Sequence, residues 1–156
     1  MGCDIHTLAQ KRTNGKWETV PFVPFDWRGY GMFGFLADVR NYSAVPPISK
    51  ARGLPDDIVR PQPNFYGEHD DNLGLGDHSY SWLTVEELTA FDYDQSFEDR
   101  RVTRQTAPNL WDGGVTADPG GGAMTTYREF LGEGFFRDLN KLKELGAERI
   151  VFGFDS

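Results

Sequence analysis

The sequence predicts a single α+β domain with a mainly antiparallel sheet that includes both chain ends, about three or four helices, and one long irregular segment. Three observations support this fold class. A hairpin pattern lies near the N-terminus, helical patterns follow it, and an apolar run of strand length ends the chain. A length of 156 residues suits one hydrophobic core and is short for two ordinary domains. We therefore expect one domain over residues 1–156.

The first predicted element is a β-hairpin. The runs CDIHTLAQK and WETV flank the Asn-Gly dipeptide at 14–15, which favours a two-residue hairpin turn. Period-two alternation places Cys3 on one face of the first strand and Asp4 and His6 on the other. We expect Cys3 to be a small buried apolar residue.

Three helices and a closing strand follow from local patterns. Apolar spacing predicts a helix over 30–39, although two glycines weaken it. A capping box of Thr84 and Glu87 predicts a short helix that begins at about Val85. Residues 126–146 carry a second capping box, apolar helical spacing and a terminal glycine. RIVFGF at 149–154 predicts a buried strand.

We expect the first and last strands to be neighbours in one sheet. This pairing would bring Asp155 close to Asp4 and His6. The segment before Thr84 is predicted to be a loop that brings His78 to the same end of the sheet.

Two stretches show little periodicity. Residues 40–77 contain several prolines, and a stretch of this length inside a small domain is usually functional or disordered, so we expect a ligand there. The Gly-rich stretch at 118–122 lacks the Lys-Ser/Thr pair of a phosphate-binding P-loop. We expect it to be a mobile loop.

Composition limits the partners. Sixteen Lys and Arg against 24 Asp and Glu give a net charge of −8, so bulk nucleic acid is not an expected partner. The single cysteine excludes an internal disulfide and a zinc site of several thiolates. No run approaches 18 apolar residues and the start lacks a signal-peptide pattern, so we expect a cytoplasmic protein without a membrane partner. The sequence leaves a homo-oligomer open.

Asp4, His6 and His78 are the candidate catalytic residues. A histidine can accept a proton from a nucleophile while a second group protonates the leaving oxygen. The same groups suit a divalent metal, but their spacing matches no standard metal motif, so a divalent cofactor is left open. The structural alternative is a hydrogen bond within the sheet for His6 and orientation of the helix near 84 for His78.

Arg40, Asn41, Arg52 and Trp82 are the candidate ligand-binding residues. Arginine can make bidentate contacts with phosphate, and a tryptophan ring can stack on a base. Arg40 and Arg52 lie in the irregular stretch at 40–77, where binding residues are often found. The alternative for each arginine is a solvated surface position or an ion pair with one of the many acids. A small nucleotide is the expected ligand.

Several fragments stand in a recognisable order along the chain: MGCDIH, NGKW, FLADVRN, PIS with RGLPDD, DHSYSWLTVEEL, and LKELG before IVFGFD. Together they resemble a family of small proteins that are frequent in bacteriophage genomes. The resemblance covers most of the chain, and MGCDIH with HSxSWL is its most specific part. The chain departs from the family around 118–123 and at Gly153, where an aromatic residue is expected.

The resemblance implies a phage origin and no particular reaction. A small phage protein of this kind is often a counter-defence factor in the cytosol of the infected bacterium. We expect it to act on a nucleotide-type immune signalling molecule by phosphodiesterase-type hydrolysis with its His and Asp groups, and the first alternative is that it sequesters the molecule unchanged. The remaining alternative is an acidic protein that inhibits a host protein directly.

Overall fold

The computed structural model describes residues 2–58, 73–102, 116–117 and 122–156. The elements in chain order are β1 (Asp4–Thr13), β2 (Lys16–Thr19), α1 (Tyr30–Ala37), β3 (His78–Thr84), α2 (Val85–Ala90), β4 (Ser96–Asp99), β5 (Arg101–Val102), β6 (Thr116–Ala117), β7 (Ala123–Thr126), α3 (Tyr127–Glu144) and β8 (Arg149–Asp155). The predicted α+β class is confirmed.

The chain forms two compact units. The first contains Met1–Arg28, Ala51–Ala90 and Gly134–Ser156, and the second contains Gly29–Lys50 and Phe91–Glu133. Each unit draws on segments that are distant in sequence. One domain over 1–156 stays a prediction.

The sheet of the first unit has the strand order β2-β1-β8-β3, and all neighbours are antiparallel. The first and last strands pair from Asp4 opposite Asp155 to Gln10 opposite Arg149. The predicted adjacency of the two chain ends is confirmed. β8 is a central strand, and its residues from Arg149 to Phe154 are buried.

The two faces of this sheet carry different side chains. On one face Ile5 lies opposite Phe154 and Thr7 opposite Phe152, and all four are buried. The other, which we call the Trp82 face, carries four rows of cross-strand partners: Asp4 with Asp155, His6 with Gly153, Leu8 with Val151 and Trp82, and Gln10 with Arg149 and Thr84. The predicted division of the first strand, with Cys3 buried and Asp4 and His6 opposite, is confirmed.

An apolar cluster divides the Trp82 face into two ends. Leu73, Leu75 and Val151 form its buried centre, and partly buried neighbours including Leu8 and Trp82 pack against it. The His6 row lies on one side of this cluster and the Arg149 row on the other. Four residues of strand separate the two rows, which corresponds to roughly 13 Å.

The local patterns at the predicted turn and helices are confirmed. Asn14 and Gly15 have φ values of 53° and 77°, as the hairpin turn requires. Thr84 and Glu87 exchange backbone-to-side-chain hydrogen bonds of 2.8 and 3.0 Å at the start of α2. α3 is the longest described helix and is kinked at Gly132, whose φ is 80°. No helix within the described ranges combines the length and the apolar character that crossing a membrane requires.

The second unit holds strands that the sequence patterns did not reveal. β4 pairs with β7, and β5 pairs with β6. Aromatic rings fill this unit: Phe35 and Phe97 each contact Tyr127, at centroid distances of 5.7 and 4.8 Å. These strands have two to four residues, too few for a periodic pattern to emerge.

The segment before Thr84 is a strand, which corrects the predicted loop. β3 starts at His78, and its pairing with β8 shifts register between His78 and Ser81. Ser79, with a φ of 58°, lies in this irregularity. The described parts of the irregular stretch, 40–58 and 73–77, contain no helix or strand. Residues 59–72 and 118–121 lie outside the described residues.

Gly153 tests the packing of the central strand. A Cβ atom at this position would meet the carbonyl oxygen of Leu75 and the ring of Tyr80. We therefore expect Gly153→Ala to lower the free energy of unfolding by about 1–3 kcal/mol, measured by urea denaturation. Gly134→Ala is the control, because its nearest neighbours are 3.7 Å away, an ordinary contact distance. Its loss should be less than about 0.5 kcal/mol, and equal losses in the two variants would contradict the packing argument.

Candidate functional site

A groove of about 1070 Å³ opens on the Trp82 face of the first unit. It is formed by the β1–β2 hairpin, the segment before residue 58, the β3–α2 junction and the start of β8. Its lining combines two tryptophans and three arginines with apolar and acidic residues: Arg12, Trp17, Arg52, Leu54, Pro55, Asp57, Trp82, Thr84, Val85, Thr89, Glu148 and Arg149, among others. We call it the Trp–Arg groove. Its volume is at the upper end of the range of small-molecule sites.

One wall of the Trp–Arg groove is an arginine lying on a tryptophan. The guanidinium carbon of Arg52 is 4.7 Å from the ring centroid of Trp82. Its Nη1 and Nη2 donate to the two carboxylate oxygens of Glu87, each at 2.6 Å. The backbone N–H of Arg52 also donates to Ser81 Oγ at 3.0 Å. The guanidinium is therefore positioned before any ligand arrives.

Glu87 connects this wall to the helix cap. Its carboxylate accepts from Arg52 and also from the backbone N–H of Thr84 at 2.8 Å. These hydrogen bonds, that of Arg52 first, lower the pKa of Glu87 to about 2. The same pair raises the pKa of Arg52. The capping box at the start of α2 thus also fixes a groove arginine.

The opposite wall is built on Arg149, of which 4% is exposed. Its Nε donates to Gln10 Oε1 at 2.9 Å and its Nη1 to Asp57 Oδ1 at 2.8 Å. The ring centroid of Trp17 is 3.7 Å from the guanidinium carbon. Nη2 is buried and has no hydrogen-bond partner within the described part of the chain.

Asp57 joins Arg149 to Trp17. Its second carboxylate oxygen accepts from the indole N–H of Trp17 at 2.6 Å. The hydrogen bonds from Arg149 and then from Trp17 lower the pKa of Asp57. One carboxylate therefore neutralises the arginine and holds the tryptophan over it.

Arg12 completes the set of groove arginines. It lies 5.1 Å from the ring of Trp17 and pairs with Glu148 at 3.2 Å. Each of the three arginines therefore has a carboxylate partner: Glu148 for Arg12, Glu87 for Arg52 and Asp57 for Arg149.

The predicted catalytic residues Asp4 and His6 lie at the other end of the Trp82 face. His6 Nε2 hydrogen-bonds to Asp155 Oδ2, the carboxylate that the strand pairing was predicted to bring there. Asp4 accepts from Arg28 Nε at 2.9 Å and Nη2 at 3.1 Å. The hydrogen bond from Arg28 lowers the pKa of Asp4. Both groups already have partners, and neither is among the described residues that line the Trp–Arg groove.

His78 lies at the same sheet end but in a different row. It is opposite Phe154, the partner of Ile5, and the two rings stack at a centroid distance of 6.2 Å. Its Nε2 is 3.0 Å from Ser156 Oγ. In the part of the chain that the structure describes, no hydrogen bond joins His78 to His6 or Asp4. Of the three predicted catalytic residues, Asp4 and His6 therefore share one face of the sheet, whereas His78 lies in a separate row.

The four predicted binding residues are divided between the units. Arg52 and Trp82 lie together in the first unit, whereas Arg40 and Asn41 belong to the second. The Asn41 amide donates to Val45 O at 2.8 Å and accepts from Val45 N at 3.0 Å, which closes a turn after α1. Arg40 Nη1 is 3.4 Å from the Tyr42 hydroxyl.

Trp17, Asp57 and Arg149 are groove residues that the sequence analysis did not single out. A signal existed for two of them. Trp17 follows the Asn-Gly turn by two residues, and Arg149 has the period-two spacing that places it on the same face as Val151 and Gly153. Nothing local marks Asp57, because it is 92 residues from Arg149 in the chain.

Within the described ranges, no group of three or more His, Cys, Asp or Glu side chains is placed to hold a metal ion. Comparisons of the chain with protein-family models, curated proteins and solved structures find no match.

The lowered pKa of Glu87 predicts a pH dependence of stability. Its contribution is complete above pH 4.5 and is lost as the pH falls towards 2. Glu87→Gln should therefore lower the free energy of unfolding by about 1–2 kcal/mol at pH 7, and the difference from the wild type should shrink on acidification.

Thermal unfolding between pH 7 and pH 2 measures this difference. The matched control is Glu86→Gln, which removes the same charge from an exposed neighbouring position without breaking the Arg52 pair. A constant gap between Glu87→Gln and the wild type across the pH range would contradict the assignment.

Proposed function

We propose that the protein binds a nucleotide-type small molecule in the Trp–Arg groove and retains it without cleavage. The observation that carries this proposal is the pair of tryptophans, Trp17 and Trp82, each contacted by arginine within one groove. Nucleotides combine a planar ring with phosphate groups, and these side chains bind both chemistries.

The groove supplies surfaces for the base. Leu54, Pro55 and Val85 contribute apolar lining beside the two indoles. A base gains affinity by stacking on an indole or on a guanidinium plane. Because Glu87 holds Arg52 over the ring of Trp82, this binding surface exists before the ligand binds.

The position of the histidines favours retention over hydrolysis. The Trp–Arg groove has no histidine among its described lining residues. His6 lies two rows from Arg149 along the sheet and is hydrogen-bonded to Asp155. General acid–base catalysis needs a group within about 3 Å of the reacting atoms. Although the groove residue Trp82 lies in the row next to His6, a ligand held at Arg149 is roughly 13 Å along the sheet from this histidine.

The resemblance of the sequence to small phage proteins supplies a biological setting for the proposal. In that setting the protein is a counter-defence factor in the host cytosol. It sequesters an immune signalling nucleotide and so lowers the free concentration that host receptors detect.

Binding can be tested with a panel of cyclic dinucleotides, cyclic trinucleotides and ADP-ribose derivatives. We expect at least one member to be retained by the purified protein and to be released with unchanged mass after denaturation, as measured by mass spectrometry. Trp82→Ala should weaken its affinity by about tenfold or more, measured by calorimetry, because one stacking contact is lost. Trp27→Ala is the control, since Trp27 packs on Phe25 and does not line the groove. Retention of no panel member would contradict the proposal and favour a direct inhibitor of a host protein.

A second candidate function is hydrolysis by the His6–Asp155 pair. The observation that favours it is the hydrogen bond between these side chains, because a carboxylate orients a histidine for proton transfer. The same panel separates the two functions. If His6 is catalytic, the wild type alters the mass of a panel member and His6→Ala does not. We expect unchanged masses with both proteins and the same affinity in both.

A further inference from the structure

We propose that Arg149 is the phosphate-binding residue of the Trp–Arg groove, and that Asp57 and Trp17 cover it until a phosphate displaces them. This inference rests on the proposed function, since it names the group that recognises the charged part of the ligand. Neither Arg149 nor Asp57 was among the predicted binding residues.

Arg149 has hydrogen-bonding capacity that the fold does not use. Its Nε and Nη1 have acceptors, while Nη2 is buried and has none within the described ranges. A buried donor without an acceptor destabilises a fold, and a charged donor does so more than a neutral one. An arrangement that retains such a group is explained when a ligand supplies the missing acceptor.

Packing alone does not require an arginine at position 149. A buried ion pair that is replaced as a whole by well-packed apolar residues often loses no stability, whereas removing one partner is costly when the other is buried. The partner carboxylate would tolerate the loss, because the Asp57 side chain is 61% exposed while that of Arg149 is 5% exposed. Hydration would then replace the arginine at Asp57. The charge of Arg149 therefore points to recognition of an anion.

Trp17 and Asp57 limit access to the guanidinium of Arg149. Trp17 lies over the guanidinium at 3.7 Å and belongs to β2, a four-residue strand at the edge of the sheet. Its indole N–H is held by Asp57. Removing Asp57 from this contact frees the indole and the Nη1 of Arg149 at the same time, so one displacement opens the guanidinium to a bidentate oxyanion.

Asp57 and a phosphate carry charges of the same sign. A phosphate that approaches Arg149 meets the carboxylate of Asp57 on the same guanidinium, and the two anions repel each other. Asp57 therefore acts as a competitor for the phosphate. Neutralising Asp57 should strengthen phosphate binding, whereas removing Arg149 should weaken it.

These opposite signs define the test. The variants are Arg149→Met and Asp57→Asn, with Asp26→Asn as a control that makes the same charge change outside the groove lining. The probes are cyclic di-AMP, ADP-ribose, AMP, adenosine and inorganic phosphate, and calorimetry measures their affinities. For the phosphate-bearing nucleotides we expect binding about tenfold or more weaker in Arg149→Met and about threefold or more tighter in Asp57→Asn, with Asp26→Asn unchanged.

A second readout follows the cover itself. The indole N–H resonance of Trp17, assigned by its loss in Trp17→Phe, should shift when a phosphate-bearing probe is added to the wild type. In Asp57→Asn the same resonance should be shifted before any probe is added. Circular dichroism and thermal unfolding verify that each variant is folded. If Arg149→Met does not fold, Arg149→Lys replaces it, because it keeps the charge and loses the planar fork.

Each outcome decides the inference. Weaker binding in Arg149→Met together with tighter binding in Asp57→Asn supports it. Binding that is the same in both variants, or adenosine bound as tightly as AMP, overturns it while the proposed function survives. Inorganic phosphate bound as tightly as the nucleotides shows that the base adds nothing, which keeps Arg149 as an anion site and contradicts the proposed nucleotide ligand. No binding of any probe to the wild type overturns the inference, and the proposed function falls with it if no member of the wider nucleotide panel is retained either.

Discussion

The antiparallel pairing of β1 with β8 is the constraint on which the rest of the first unit depends. It joins the two ends of the chain and sets which side chains share a face, because a slip by one residue would invert every position on a strand. In the observed register Gln10 lies opposite Arg149, so a buried guanidinium meets an amide acceptor across the strands. The same register places His6 opposite Gly153, where a larger side chain would meet Leu75 and Tyr80.

From this register the Trp–Arg groove is built by segments that hold one another. Arg149 is fixed by Gln10 and Asp57, and Asp57 in turn fixes Trp17. On the other wall the cap of α2 supplies Glu87, which orients Arg52 on Trp82. Both walls use the same device, a carboxylate that positions an arginine against an indole. They differ in hydrogen bonding, since both terminal nitrogens of Arg52 donate to Glu87 while Nη2 of Arg149 is buried without a partner in the described residues.

The sequence predicted the parts of this structure that short-range patterns encode. The Asn-Gly turn, the Thr84 capping box and the burial of the last strand each depend on neighbours within a few residues, and all three are confirmed. The strand at His78 shows no apolar–polar alternation in the sequence, because its buried positions Ser81 and Leu83 alternate with the large rings of Tyr80 and Trp82. The sequence predicted only part of the groove. Arg52 and Trp82 were among the predicted binding residues, whereas Asp57 and Arg149 were not, because they are in contact across 92 residues of sequence. Contacts of that range follow from topology, which local patterns do not specify.

The overall charge and the arginines of the groove together bear on the proposed nucleotide ligand. A net charge of −8 repels a nucleic-acid polymer along its whole length, because many phosphates lie close to the acidic surface at once. In the proposed complex a small nucleotide would place one or a few phosphates inside the groove, where screening over about 8–10 Å removes most of the repulsion from distant carboxylates. Three carboxylates at the groove are paired with Arg12, Arg52 and Arg149, and Asp56 and Glu86 line it as well. Under the proposed function, selection between a polymer and a small ligand would thus arise from the range of electrostatic forces, without any contact that recognises the polymer.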